Sequence, residues 1–204
     1  MRPLLLGVAL AGLAAQPFFA PAQLLSGSPP GQPIETIDWG YVLLELAIGV
    51  DGSVTGIDRA DGPEPFLQMV RDAAAGWRFE PARADDKPVS THTLVIGIFR
   101  PPLLLAVEGA VPVGPRATSP QVPAPTTTVP PPYPPTAIGD GVVLVEARID
   151  TEGRPADVRV VGPPSGFDSA VVETARAWRF RPATRDGRPV PAPVYFIVGF
   201  RMPI

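Results

Sequence analysis

The stretch Trp178-Arg179-Phe180-Arg181-Pro182-Ala183 decides the fold, because nearly the same stretch occurs earlier as Trp77-Arg78-Phe79-Glu80-Pro81-Ala82. The two copies lie 101 positions apart. The same offset aligns residues 41–100 with residues 142–201 without a gap, and 20 of these 60 pairs are identical. An ungapped match of this length indicates an internal repeat. The chain is therefore expected to contain one small module twice.

Composition narrows the possible functions. The chain has 204 residues, which allows two modules of roughly 60–70 residues each, and modules of that size have thin cores. It has no cysteine and one histidine, His92, so disulfides and thiolate metal sites are excluded. A net charge of −3 with interspersed signs gives no basic stripe for nucleic acid. No catalytic residue, metal site or cofactor is expected, and His92 is interpreted as a surface residue.

Residues 1–22 are typical of a secretory signal. An apolar segment at 4–15 is followed by Ala20-Pro21-Ala22, which fits the small-x-small pattern of a cleavage site. We expect cleavage after Ala22, with Ala15 as the alternative site. The competing interpretation is an uncleaved anchor, but the largely apolar run 4–20 is shorter than the about 20 residues that a spanning helix needs.

Each module has the pattern of strand, glycine turn, strand, helix and final strand. Apolar residues alternate with polar ones in the first strand of module two, as expected for a half-exposed antiparallel strand. The helix follows, with apolar residues on one stripe that ends at a tryptophan. The residues expected to build the turns and cores are Gly153, Phe167, Trp178, Phe180 and Pro182 in module two, and Trp77, Phe79 and Pro81 in module one.

The final strand of module two, residues 194–200, is expected to lie at a sheet edge. Pro191 and Pro193 precede it, and proline cannot donate to a central ladder. A strand at an edge has free backbone groups on one side, and these can recruit another strand.

Residues 101–132 are expected to be a linker between the modules. The segment 101–135 contains twelve prolines, which favours an extended polyproline spacer over a packed domain. Such a spacer is either a passive tether or a device for crossing a crowded space.

Module two resembles the C-terminal domain of TonB-family energy transducers. The resemblance is carried by Tyr133-Pro134, the strand at 141–150, Gly153, the helix at 165–177, the Trp178–Ala183 stretch and Gly187-Arg188-Pro189-Val190. Module one is similar more loosely and lacks the Tyr-Pro pair. The resemblance implies an α+β fold in which two repeated small domains, 34–100 and 133–204, each have a three-stranded antiparallel sheet with a packed helix.

The resemblance also implies a function. Family members bind a short peptide of an outer-membrane receptor, the TonB box, as a strand added beside the last strand of the sheet. Carried over by position, the residues expected to bind a partner are Tyr133, Pro134, Val194, Tyr195, Phe196, Ile197, Val198, Gly199 and Phe200.

Two hypotheses follow for the whole chain. The first is a periplasmic TonB-like protein that binds receptor peptides by strand addition in TonB-dependent transport across the outer membrane. The second is an envelope adaptor or structural protein whose modules bind each other or an unrelated partner without energy transduction. The chain departs from the TonB family in two expected features: a cleavable signal in place of a membrane anchor, and two modules in place of one. An enzyme or a nucleic-acid partner is not expected, a homodimer is possible, and membrane contact is expected only with an uncleaved, inner-membrane-anchored N-terminus.

Overall fold

The computed structural model describes residues 18–31, 40–100 and 118–202, and this part of the chain is α+β. The first half contains β1 (Phe19–Ala20), β2 (Gln23–Ser26), β3 (Gly40–Ile48), β4 (Val54–Asp61), α1 (Phe66–Ala75), β5 (Arg78–Glu80), β6 (Ala82–Ala84), β7 (Lys87–Val89) and β8 (Thr91–Phe99). The second half contains β9 (Ala124–Thr127), β10 (Gly141–Ile149), β11 (Pro155–Val161), α2 (Asp168–Ala177), β12 (Arg179–Arg181), β13 (Ala183–Arg185), β14 (Arg188–Val190) and β15 (Ala192–Phe200).

The longest strands form one six-stranded sheet in the order β11-β10-β15-β8-β3-β4. Each half contributes three neighbouring strands, which are antiparallel within that half. The last strands of the two halves, β8 and β15, lie side by side in the middle and are parallel. The prediction of three antiparallel strands and one helix in each half is confirmed. The prediction of a separate sheet in each half is wrong.

The two helices cover opposite faces of this sheet. α1 and Trp77 belong to one core, which also contains Tyr195 from the second half. α2 and Trp178 belong to the other core, which also contains Leu94 and Ile96 from the first half. Side chains alternate between the faces of a strand, so each strand in the middle contributes to both cores. Each core is therefore built from both halves of the chain.

The α2 helix begins at Asp168, three residues after the start of the predicted segment 165–177. The Ser165 backbone N–H donates a hydrogen bond to the Asp168 carboxylate (2.9 Å), and the Ser165 hydroxyl donates to the same group (2.5 Å). Ser165 donates both bonds, and its hydroxyl accepts the Phe167 N–H (3.3 Å) rather than that of Asp168, so the contact fixes the turn before the helix without forming the reciprocal capping box. The helix ends at Ala177, and Trp178 continues in extended conformation with its ring buried.

A short extended segment precedes the sheet of each half and crosses the tryptophan of that half. We call residues 18–31 arm 1 and residues 118–132 arm 2. In arm 1, β2 pairs with β5, and in arm 2, β9 pairs with β12. The indole N–H of Trp77 donates to the carbonyl of Ser28 (3.1 Å), and that of Trp178 donates to the carbonyl of Val129 (2.8 Å). The arms therefore follow the same offset of 101 residues as the modules.

Two sequence-based expectations overlap with these arms. The expected spacer includes arm 2, so the prediction of an unpacked linker is wrong for residues 118–132, while residues 101–117 lie outside the described part of the chain. Likewise, residues 1–17 of the expected signal lie outside it. The last five residues of that expected signal lie in arm 1, where Phe19–Ala20 forms β1 and Ala22 is buried.

We predict that Gly153→Ala lowers the free energy of unfolding by about 3 kcal/mol or more. Gly153 has φ +79°, and an added Cβ would lie 1.8 Å from the carbonyl oxygen of Phe180, so the backbone must move. Gly139 is the matched control, because its φ is +81° but no atom lies within 4 Å of an added Cβ. Gly139→Ala should lower the free energy by only about 1 kcal/mol. Urea unfolding measures both, and equal losses would contradict the steric explanation.

Candidate partner-binding site

The strand predicted to receive a partner is β15, and every one of its residues is buried. On one side it pairs antiparallel with β10 along its full length. On the other side it pairs in parallel with β8, from Val194 opposite Leu94 to Gly199 opposite Phe99. The prediction that residues 194–200 lie at a sheet edge is therefore wrong. The first half of the chain occupies the side that was expected to be open.

The prolines that suggested an edge affect only the beginning of β15. Pro191 lies before the strand, and the pairing with β8 starts at Val194, after Pro193. The carbonyl of Pro193 accepts a hydrogen bond from the Thr93 hydroxyl (3.1 Å), which joins the two halves at this point. A proline before the shared ladder removes no donor from it. The prolines are thus compatible with a central strand.

Side chains of β15 alternate between the two cores. Tyr195 and Ile197 pack with α1 and Trp77, whereas Phe196 and Val198 pack with α2 and Trp178. A strand that is apolar on both faces is typical of the centre of a sheet with both faces covered. Residues 194–200 are apolar at every position of the sequence. This pattern predicts a central strand better than the preceding prolines predict an edge.

Tyr195 links the second half to the core and the arm of the first half. Its ring lies edge-on to Trp77, with centroids 5.7 Å apart. Its hydroxyl accepts a hydrogen bond from the backbone N–H of Leu24 (3.0 Å) and donates one to the Glu146 carboxylate. Burial raises the pKa of the Tyr195 phenol far above its usual range, and the charge of Glu146 raises it further. The phenol is therefore held in its neutral form.

Tyr133, which precedes Pro134, lies near the end of β15 and packs against the core of α2. The Tyr133 ring packs edge-on to Phe167 and Phe200, at centroid distances of 5.7 and 6.3 Å. Its hydroxyl donates to the carbonyl of Gly139 (2.8 Å), and Pro134 is buried. The structure therefore brings Tyr133 together with Phe200. This is a side-chain contact in the core of α2, and β15 remains paired with β8 along its other side.

Residues 129–202 match the family described as Gram-negative bacterial TonB protein C-terminal. This part of the chain is a TonB C-terminal domain. The match includes the end of arm 2, β10, β11, α2 and β15, and it does not extend to the first half. No curated protein matches the chain.

Further features of the described residues concern membrane-spanning helices, metal sites and the single histidine. Neither α1 nor α2 is long and apolar enough to cross a lipid bilayer. Among residues 18–31, 40–100 and 118–202, no group of three or more acidic or histidine side chains could hold a metal ion. His92 lies 2.8 Å from the Asp58 carboxylate, a pairing that the sequence did not suggest.

Arm 2, which enters the TonB C-terminal domain, is also bound by the first half. The buried carboxylate of Glu45 in β3 accepts hydrogen bonds from the Ser119 backbone N–H (3.1 Å) and from the Ser119 hydroxyl. Arm 1 has the converse contact, because Leu24 is bound by Tyr195 of the TonB C-terminal domain. Each arm thus crosses its own tryptophan and is held by the opposite half.

Sequence reasoning missed both arms. A weak signal was present, since Pro29-Pro30 and Pro130-Pro131 are separated by the same offset of 101 as the modules. The high proline content of the second segment favoured an unpacked spacer instead. Strand β9 contains Pro125 and has one partner among the described residues. Proline is compatible with such pairing, because a side without a ladder needs no donor.

The outer strands of the six-stranded sheet are β4 and β11, each paired with one strand among the described residues. The pairing of β3 with β4 has two register shifts, whereas that of β10 with β11 has one, near the start of β11. Irregular pairing is a common way to protect a sheet edge. Of the two outer strands, β11 is therefore the more regularly paired, and it is the one that belongs to the TonB C-terminal domain.

We predict that the amides of residues 194–199 exchange with solvent deuterium only on global unfolding. They lie in a strand with a neighbour on each side, so local opening cannot release them. Alternate amides of β11 should exchange much faster and are the internal control. Hydrogen exchange followed by NMR measures both strands. Fast exchange at alternate positions of residues 194–199, with β10 still protected, would place β15 at an accessible edge.

We further predict that Tyr195→Phe removes part of the alkaline destabilisation of the protein. The unfolded phenol ionises near pH 10, whereas the folded phenol resists ionisation. The stability that the neutral phenol contributes is present below pH 10, and it falls above pH 10 by about 1.4 kcal/mol per pH unit. The variant should lose this slope. Urea unfolding at several alkaline pH values measures it, with Tyr133→Phe as the control, and an unchanged slope in Tyr195→Phe would contradict the prediction.

Proposed function

We propose that this chain is a periplasmic TonB-like envelope protein that acts in TonB-dependent transport as an adaptor, with its first half filling the strand-addition position of its second half. The family match supports the link to TonB-dependent transport. The observation that carries the adaptor role is the parallel pairing of β15 with β8, which occupies the side where the resemblance implies peptide binding.

The energetic argument favours a closed β15. Separating the halves would expose Leu94, Ile96 and Ile98, which are buried in the core of α2. Burial of such side chains contributes about 1.5–3 kcal/mol each, so the three together contribute about 5–9 kcal/mol. A backbone hydrogen bond to an added peptide contributes a net of about 1 kcal/mol. The bonds to a peptide only replace those that β15 already makes to β8, so strand pairing alone gives a short peptide no gain that offsets the lost burial.

Strand addition to β15 is the second candidate function, and the family match favours it. In this mechanism β8 separates from β15, and a receptor peptide takes its place beside residues 194–200, near Tyr133 and Pro134. The adaptor role and this role differ in one observable property: whether β15 responds to a peptide in the intact chain.

The deciding experiment is a titration of the isotope-labelled intact chain with a synthetic TonB-box peptide. The adaptor role predicts no shift of the amides of residues 194–200. Val95→Pro, which breaks the β8 ladder, should create the response, and Val70→Ala is the control that weakens the same half without entering the ladder. Peptide-induced shifts in residues 194–200 of the unaltered chain would overturn the adaptor role and support strand addition.

The link to transport needs its own test. In the source bacterium, deletion of the gene should reduce uptake through at least one TonB-dependent receptor, and the intact chain should restore it. Uptake of labelled receptor substrates measures this effect. Normal uptake through every such receptor would contradict a role in TonB-dependent transport.

A further inference from the structure

The segment Phe18–Ala22 makes backbone and core contacts with the first half, although it falls within the expected signal. The backbone N–H of Phe18 donates to the Asp85 carboxylate (3.1 Å), and its carbonyl accepts the Asp85 N–H (3.0 Å). Phe19 and Ala20 then pair antiparallel with Ala84 and Arg83. This segment therefore adds a strand to the β6–β7 hairpin.

The same segment contacts the second half and the core. The Arg185 guanidinium lies 4.6 Å from the centre of the Phe19 ring, in a cation–π contact between the halves. Ala22 is only 2% exposed and belongs to the core of α1, two residues before the Leu24 N–H that Tyr195 binds. Cleavage after Ala22 would remove these contacts. It would also place a charged amino group at Gln23, which pairs with Glu80 at the start of β2.

The internal repeat gives an independent comparison. In arm 2, the carbonyl of Pro120 accepts hydrogen bonds from the Thr184 backbone N–H (2.7 Å) and from the Thr184 hydroxyl (3.2 Å). Pro120 is the counterpart of Phe19 at the offset of 101, and it contacts the β13–β14 hairpin as Phe19 contacts β6. Arm 2 is internal to the chain, so export processing does not remove it. A complete arm is therefore part of the folded unit in the half where no cleavage intervenes.

We propose that export processing cuts after Ala14 or Ala15 and leaves Phe18–Ala22 in the mature protein. Gly12-Leu13-Ala14 has small residues at both positions that signal cleavage requires, and Ala15 offers a neighbouring site. The apolar segment then runs from Leu4 to Leu13, a length within the about 7–15 residues of a signal core. The inference rests on the periplasmic location in the proposed function.

The test is the N-terminal sequence and intact mass of the full chain, expressed with its own leader and recovered from the periplasm of a Gram-negative host. The expected N-terminal residue is Ala15 or Gln16. A protein that begins at Gln23 would overturn this inference and leave the periplasmic location standing. A protein that keeps Met1 would overturn the inference in favour of the uncleaved anchor, whereas a protein absent from the periplasm would contradict the periplasmic location itself.

Matched variants show which peptide bond is cleaved when the protein is exported. The double change Ala14→Gln and Ala15→Gln should abolish processing at residues 12–15. Ala20→Gln, which removes a small residue from the Ala20-Pro21-Ala22 site, should leave processing unchanged. The opposite pattern would overturn the inference.

Stability gives a second readout that does not depend on processing. A chain that begins at Gln23 should melt at a temperature lower by about 5 °C or more than a chain that begins at Gln16, because it lacks β1 and the Phe19–Arg185 contact. Equal melting temperatures would show that the retained segment has no structural role, and would overturn the argument from the fold.

Discussion

The parallel pairing of β8 with β15 is the interaction on which the rest of the structure depends. It joins two three-stranded sheets into one and gives each helix a wider surface on which to pack. Modules of roughly 60–70 residues bury too little apolar surface to be more than marginally stable alone. Here the central strands are buried on both faces, and each core contains residues of the opposite half. The two halves therefore stabilise each other as one folding unit.

The arms make this dependence mutual. A module that met its neighbour only along β8 and β15 could separate by breaking a single ladder. The contacts of Tyr195 with Leu24 and of Glu45 with Ser119 instead tie each arm to the opposite half. Both contacts involve buried polar groups, which are costly to leave without partners. Separation of the halves would thus expose apolar surface on both faces and break polar contacts at the same time.

Much of the fold could be predicted from the sequence because it depends on local patterns. Alternating apolar residues predict the strands, and the apolar stripe at helical spacing predicts α1 and α2. The shared Trp-x-Phe-x-Pro-Ala stretch indicates the repeat. The position of β15 depends on a neighbour about 100 residues away, and local rules for proline do not contain that information. The apolar residues on both faces of β15 do indicate a central position in the sheet. The arms depend on short two-strand pairings and on individual hydrogen bonds, such as an indole N–H with a carbonyl, and these leave almost no trace in composition.

The same ladder has a consequence for the order of folding. Residues that face each other across β8 and β15 are 100 positions apart, for example Leu94 and Val194. Pairing of such distant residues forms late, because closing a long loop costs entropy before any contact compensates for it. In a chain that crosses a membrane N-terminus first, β8 emerges long before its neighbour. Its bare side is then a transient hazard for aggregation, and pairing with β15 removes that hazard.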